Sequence, residues 1–358
     1  MRIQFIGTNR AVPLIAAAAA VALFQASAPA RVQAGPTEKQ GPRVIRWVVA
    51  HDRGNTPFSD LNRSFAQRLH DKSGGKLKVE FVKSDASDSQ VDDAAYLEVS
   101  QGKADMSQLA ATAARVRVFD MPFLFRSYEH ADAVFTGPVG QKLVAGISAS
   151  SGGQIRGFGF TYSGGYRVLA GRTAVRRLSD FKGVRMRRGV SHLAPFMQQL
   201  GVSLVEAGAA SRERPIDDIA AGKVDLEETE VNRLALVQRE HPEILGQIDY
   251  VNLTHHRMYV TAIVANEKFY ASLPADQQRL LSEEMETLAA AERKLSIDLE
   301  KRNRELLAKK GVRFVDLAGT ERRDFAKAAE AYRHAVPELE GLVQEIQAVK
   351  DSPKLALK

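Results

Sequence analysis

Apolar and polar positions alternate along the chain with two periods, and their order sketches an architecture. Val44–Ala50 (VIRWVVA) is β-branched and apolar almost throughout, which predicts a buried strand. After Asn55-Thr56-Pro57, Phe58, Leu61, Phe65 and Leu69 recur at helical spacing, and Gly74-Gly75 stops the run. Leu77–Val82 (LKVEFV) alternates as a half-buried strand does. The opening β-α-β unit favours a parallel sheet with a right-handed crossover. A helix is predicted over Asp92–Gln101, closed by Gly102, followed by short strand-like pieces at Met106–Leu109 and around Phe119. Further strands are predicted at Gly157–Tyr162, Tyr166–Ala170, Val184–Arg187 and Met258–Ala265, with helices around Ser191–Leu200 and Ile216–Ala221. Pro274–Lys310 carries an apolar stripe through Leu281, Met285, Leu288, Leu295, Leu299 and Leu306. At 1.5 Å per residue it would run roughly 55 Å, too far for one small lobe to cover. Either it breaks near Ala290 or it braces two lobes, and bracing is the reading adopted. Amphipathic helices over Thr320–Ala335 and Glu338–Val349 end the pattern.

Composition narrows the class. The 358 residues are 44% hydrophobic and 26% charged, an ordinary globular balance, and the length suits two domains of moderate size. No low-complexity linker separates them, so they must share closely spaced crossovers. The absence of cysteine excludes disulfides, thiolate metal sites, iron–sulfur clusters and cysteine nucleophiles. Residues 1–34 read as a cleaved export signal. Arg2 and Arg10 begin it, Ala11–Phe24 is apolar, and small-residue sites follow up to Val32-Gln33-Ala34. The apolar run is shorter than the ~20 residues a span needs, so an uncleaved anchor is the lesser reading and the mature chain is not membrane-embedded. The signal holds three arginines and no acid, so its removal lowers the net charge from +7 to +4. That weak field, with export, argues against nucleic acid as a partner.

Catalytic motifs are absent: there is no P-loop, HExxH, GxSxG, calcium loop or complete GxGxxG. No cofactor is implied. His255-His256 on a strand would face opposite sides, one half-buried and one exposed, rather than ligate a metal together. Asp225, Glu227, Glu228 and Glu230 could be a hard-metal site, an acid/base pair, a solvated loop or counter-charge to basic residues; the spacing does not resemble a calcium loop, and metal is not favoured. The basic residues are concentrated between Arg167 and Arg188, a stretch whose sole acid is Asp180. Within Val184-Arg185-Met186-Arg187, strand parity puts the two arginines on one face, pointing into a cleft or into water. Arginine suits a carboxylate, which its planar fork grips with two charge-assisted bonds.

In this order the motifs resemble the solute-binding proteins of tripartite ATP-independent periplasmic (TRAP) transporters, the DctP family. The resemblance rests on Glu98–Met106 (EVSQGKADM), Phe119–Phe125 (FDMPFLF), Gly165-Tyr166-Arg167, Asp180–Arg187 (DFKGVRMR), Gly222–Asp225 with Glu228, and Ala265-Asn266 with Leu273-Pro274. It implies a two-lobed α/β fold of the periplasmic-binding-protein type, with crossovers between lobes and a long helix bracing both. Residues 35–164 plus about 255–290 would form lobe I, and 165–254 plus about 291–350 lobe II. The implied role is to capture a small organic acid between the lobes in the periplasm and deliver it to a TRAP membrane permease, without catalysis. Arg187 falls where the family places its main carboxylate-binding arginine, and Arg167 on a second arginine near the ligand. Glu228 matches the family glutamate, while Thr229 stands where an asparagine is usual, and Leu226 and Glu227 also depart from the pattern. Ala207–Pro215 is a few residues longer than the family norm. Two other readings stand beside this one: an exported hydrolase or isomerase using the Asp225–Glu230 carboxylates, and a binding lobe that serves a sensor.

Overall fold

A computed structural model of the chain describes residues 41–352 except 51–55, 85, 87–89, 189–192, 207–215, 318 and 335. The export signal and Ala207–Pro215 lie outside the described residues. Eleven described strands form two sheets. The first contains β1 (Arg43–Val49), β2 (Leu77–Lys83), β3 (Met106–Ala110), β4 (Ile155–Thr161) and β10 (Thr261–Asn266), in the order β2-β1-β3-β10-β4. The second contains β5 (Arg167–Gly171), β6 (Arg185–Arg187), β7 (Ser203–Val205), β8 (Leu226–Glu230), β9 (Tyr250–Leu253) and β11 (Arg313–Asp316), in the order β11-β9-β5-β8-β6-β7.

The opening pattern folds as its chemistry dictates. β1 and β2 pair in parallel from Arg43 opposite Leu77 to Val49 opposite Lys83. Helix Pro57–Lys72 joins them. The Thr56 hydroxyl caps it by accepting from the Ser59 amide at 3.2 Å, Pro57 sits in the first turn, and Phe65 and Leu69 are buried. Gly74 and Gly75 end the helix with φ of +62° and +78°, left-handed values that a side chain would strain. Ile45, Trp47, Phe65, Leu77, Met106 and Ile263 then form an apolar core.

The helix Ala275–Lys309 is unbroken over 35 residues, roughly 52 Å, and passes through Ala290 without interruption. Leu281, Met285 and Leu288 in its first half join the core of the first sheet, while Leu307 near its end joins Val168, Ala170, Leu234 and Val251 under the second. Between them the buried face turns polar. Glu292 accepts from Gln108 Nε2 at 2.7 and 2.8 Å and from Ser163 Oγ at 2.6 Å. Arg293 donates to Asp132 at 2.8 Å and to the Phe160 carbonyl at 2.9 Å, and Asn303 donates to Asn232 at 2.8 Å. The brace is therefore greasy where it covers a sheet and hydrogen-bonded where it crosses from one to the other.

Some sequence-based expectations fail locally. The piece around Phe119 is a 3-10 turn, Arg117–Asp120, in which Val118 and Phe119 are both buried. Aromatic packing of Phe119 on Phe160, at 4.9 Å between centroids, holds it in place of a ladder. The late strand begins at Thr261, since Met258 makes only an isolated bridge to Tyr166 as the chain crosses between sheets. The helix expected over Ser191–Leu200 is seen as Ala194–Gln199, with Ser191 and His192 outside the described residues. Helices Tyr128–Thr136, Pro138–Ser150 and Val231–Glu240 are not among the elements expected from sequence, although Val231, Leu234 and Ala235 mark the last at helical spacing. Among the described residues no helix is long and apolar enough to cross a membrane.

Candidate functional site

The charged residues meet where β5, β6 and β8 lie side by side. β5 runs antiparallel to β8 with Arg167 opposite Glu230 and Leu169 opposite Glu228, and β6 runs parallel to β8 with Met186 beside Leu226. With a side-chain period of two, Glu228 and Glu230 share one face of β8 and Asp225 and Glu227 the other. Arg167 bonds to Glu230 Oε1, lies 3.2 Å from Glu228 Oε1 through Nε, and donates to the Glu228 carbonyl. On the opposite face Arg187 donates to Glu227 Oε1 from Nε at 3.1 Å and from Nη2 at 3.0 Å. The link from β9 to β10 brings a third guanidinium. Arg257 Nη1 donates to Asp120 at 2.9 Å and Nη2 to Glu228 at 3.3 Å. His256 Nε2 lies 3.2 Å from Glu228 Oε1, while Nδ1 lies 2.8 Å from Thr254 Oγ1. An ionised Glu228 only accepts, so the proton sits on Nε2 and Nδ1 accepts from the threonine. Arg167 and Arg257 thus face Glu228, Glu230 and Asp120 on one side and Arg187 faces Glu227 on the other, and no side chain among the seven is more than 16% exposed.

The neighbouring glutamates respond in opposite directions. Burial disfavours the charge on Glu228, but Arg167 and Arg257 outweigh it and hold the carboxyl well below its ordinary range. Glu227 is pushed up to about 7, chiefly by burial, with Arg187 pulling the other way and the Glu228 charge adding to the rise. Burial works against the Arg167 cation too, yet Glu228 and Glu230 raise its pKa above the usual arginine value. His256 is lowered by burial despite Glu228, and is therefore neutral near pH 7. Tyr259, whose ring lies 6.0 Å from the Arg167 guanidinium and whose hydroxyl is 3.4 Å from Asp92, is raised well above 10 by burial and then by Asp92. The buried Nε atoms of Arg167 and Arg257 have no aligned acceptor. An unmet buried donor costs about 1–3 kcal/mol, so the cluster is not satisfied by its own residues.

Comparison with known proteins decides the family. The model of "Bacterial extracellular solute-binding protein, family 7", DctP, matches residues 49–210 and 243–338, most of the chain. The chain belongs to the DctP family. Among its relatives, the C4-dicarboxylate-binding protein DctB of Bacillus subtilis is 21% identical over 79% of each chain. A solute-binding protein of Roseobacter denitrificans is 25% identical over 74% of this chain and 79% of its own length. Two solved TRAP periplasmic solute-binding proteins share the two-lobed fold. The Citrobacter koseri protein, with bound D-glucuronate, is 19% identical with a TM-score of 0.70, covering 86% of this chain and 100% of its own. The Shewanella oneidensis protein, with bound succinate, is 18% identical with a TM-score of 0.71, covering 86% and 99%.

Within this DctP-family chain the residues named from sequence are distributed unevenly. Arg167 and Glu228 are brought together. Arg187 lies on the other face of the sheet, against Glu227. Thr229 is half-buried beside Val168, its hydroxyl approaching the Glu230 carbonyl at 3.5 Å. The acidic cluster is not a solvated loop. It is a strand of counter-charges, with Asp225 held by Arg185, and no metal-holding group of acids and histidines occurs among the described residues. His256 is fully buried and His255 partly so, where one exposed ring was expected, because both lie in the covered link between β9 and β10 rather than on a strand. Arg172 reaches Gln247, and Arg177 pairs with Asp180, at the surface. Sequence reasoning missed Arg257, Asp120 and Tyr259. The signal was there: an arginine opening the apolar run before β10, and a lone acid inside the aromatic Phe119–Phe125 block.

Proposed function

We propose that this DctP-family chain captures a small organic acid in the periplasm after its export signal is removed, and delivers it to a TRAP-type permease. The lobes are 35–164 with about 255–290, and 165–254 with about 291–350, and the acid lies between them. Arg187 grips the ligand carboxylate and Arg167 is a weaker second contact, with Glu228 holding Arg167 in place and Thr229 lining the approach. The observation that carries this reading is the buried guanidinium cluster at β5, β6 and β8, in which Arg187 already holds a carboxylate through two nitrogens. That is the geometry a carboxylate ligand uses. The acids bound by the Citrobacter and Shewanella proteins support a ligand of that class. Glu227 and Glu228 stand beside Thr229, so a second carboxylate near this strand meets repulsion, and monocarboxylates should bind more tightly than succinate or malate. Ligand binding occurs without turnover.

Calorimetric titration of mature protein with organic acids tests the reading. Removing one partner of a desolvated charge pair costs roughly 2–5 kcal/mol, so Arg187→Ala should weaken binding at least about thirtyfold while the fold persists. Wild-type affinity in that variant, or tighter binding of dicarboxylates, would show the site to be misassigned.

A further inference from the structure

Glu227 occupies the Nε/Nη2 edge of Arg187, so a ligand carboxylate that takes this edge must displace it. Glu227 is 5% exposed near the start of β8, so its carboxylate cannot simply swing into water. Among the described residues, the charged groups around it offer no replacement cation. Arg187 comes from β6; Arg167, from β5, is taken by Glu228 and Glu230; Glu228, from its own strand, is a like charge. Farther along the same face, Arg185 is bound to Asp225 through Nε and Nη2. A simple carboxylate that captured this edge of Arg187 would therefore leave Glu227 either to take up a proton or to stay buried and charged without a partner.

We infer that Glu227 sets the charge the ligand must carry, selecting an aminocarboxylate whose carboxylate takes the Nε/Nη2 edge of Arg187 while its neighbouring ammonium replaces Arg187 as the partner of Glu227. This rests on the reading that Arg187 is the carboxylate anchor. Chemically it is an exchange of partners. One guanidinium–carboxylate pair becomes two, guanidinium with ligand carboxylate and ligand ammonium with Glu227, and the net charge of the site is unchanged. A ligand lacking the nitrogen makes one contact at the expense of another. The ammonium has three donors and needs a compact, acceptor-only partner, which an ionised glutamate provides. Such selection works by penalising the wrong ligand as much as by attracting the right one.

Matched pairs test this: short aliphatic 2-amino acids against the same acids without nitrogen, titrated at pH 8 into wild type, Glu227→Gln and Arg187→Ala. Wild type should favour the amino member of each pair by at least about tenfold, a preference typical of one buried charge contact. Glu227→Gln should abolish that preference and bind the nitrogen-free acids at least about tenfold more tightly than wild type does, because Arg187 is released. Arg187→Ala should lose both. Wild type favouring the nitrogen-free acids would overturn the inference, and this comparison needs no variant to fold. So would an unchanged preference in Glu227→Gln while Arg187→Ala abolishes binding. Binding retained in Arg187→Ala, or no binding of any acid by wild type, would instead overturn the assignment of Arg187 on which the inference rests.

Discussion

Arg185 and Arg187 are two residues apart on one short strand, point to the same side, and each grips an acid through Nε and Nη2, Asp225 just before β8 and Glu227 on it. Their surroundings differ. The Arg185 and Asp225 side chains are 45% and 28% exposed, whereas those of Arg187 and Glu227 are 16% and 6% exposed. In the wet pair the hydrogen bonds from Arg185 lower the Asp225 pKa, as an ion pair should. In the dry pair burial outweighs the partner and the Glu227 pKa rises. Hydrogen-bond geometry alone thus says little about what an ion pair is for. Solvent decides whether the acid under the arginine stays firmly ionised or is pushed toward its neutral form.

The comparison can be strained hardest at the driest arginine. Arg257 is 5% exposed and serves both Asp120 and Glu228, so Arg257→Ala leaves two buried carboxylates short of a cation. A loss of about 3–5 kcal/mol in urea-monitored stability is expected. A change below about 1 kcal/mol would mean the cluster relaxes into water. Next comes pH. Glu227 binds its proton more tightly folded than unfolded, so its contribution is complete below about pH 4.5 and is lost as pH rises through 7. Between those values wild type should lose roughly 1–3 kcal/mol more than Glu227→Gln, measured as the difference between their stability–pH curves. Glu228 has the opposite sign: its depressed pKa gives stabilisation present above the ordinary glutamate value and lost as pH falls below it. Parallel curves for wild type and Glu227→Gln would place Glu227 with the wet pair. The smallest effect belongs to Arg185→Ala, which should leave stability and ligand affinity at wild-type values by the same titrations. A loss of affinity there would erase the distinction between the two forks.

Much of the scaffold was legible because local and tertiary preferences agree. Thr56-Pro57, the Phe58–Leu69 stripe and Gly74-Gly75 specify one helix without help from elsewhere, and the stripe from Leu281 onward survives over 35 residues. The piece at Phe119 was misread because its apolar residues are buried by aromatic packing, which short apolar runs do not reveal. At the site, parity put Arg185 and Arg187 on one face correctly. It could not tell wet from dry, since that depends on what the second sheet packs against. Nor could it find Arg257 and Asp120, which are 137 positions apart in sequence and meet only when the chain crosses between sheets.

Those crossings bear on how the molecule comes apart. β4 leads to β5, β9 returns to β10, and the Ala275–Lys309 helix runs from the core of one sheet to that of the other, bonded to the first through Gln108 and Phe160 and reaching the Val231–Glu240 helix through Asn303. Neither half of the structure is a continuous stretch of chain, so neither can be released by cutting once and neither has its full set of strands until late in synthesis. Heating should therefore melt both sheets in one cooperative transition, and a fragment ending before β10 should be degraded rather than persist as a half-protein.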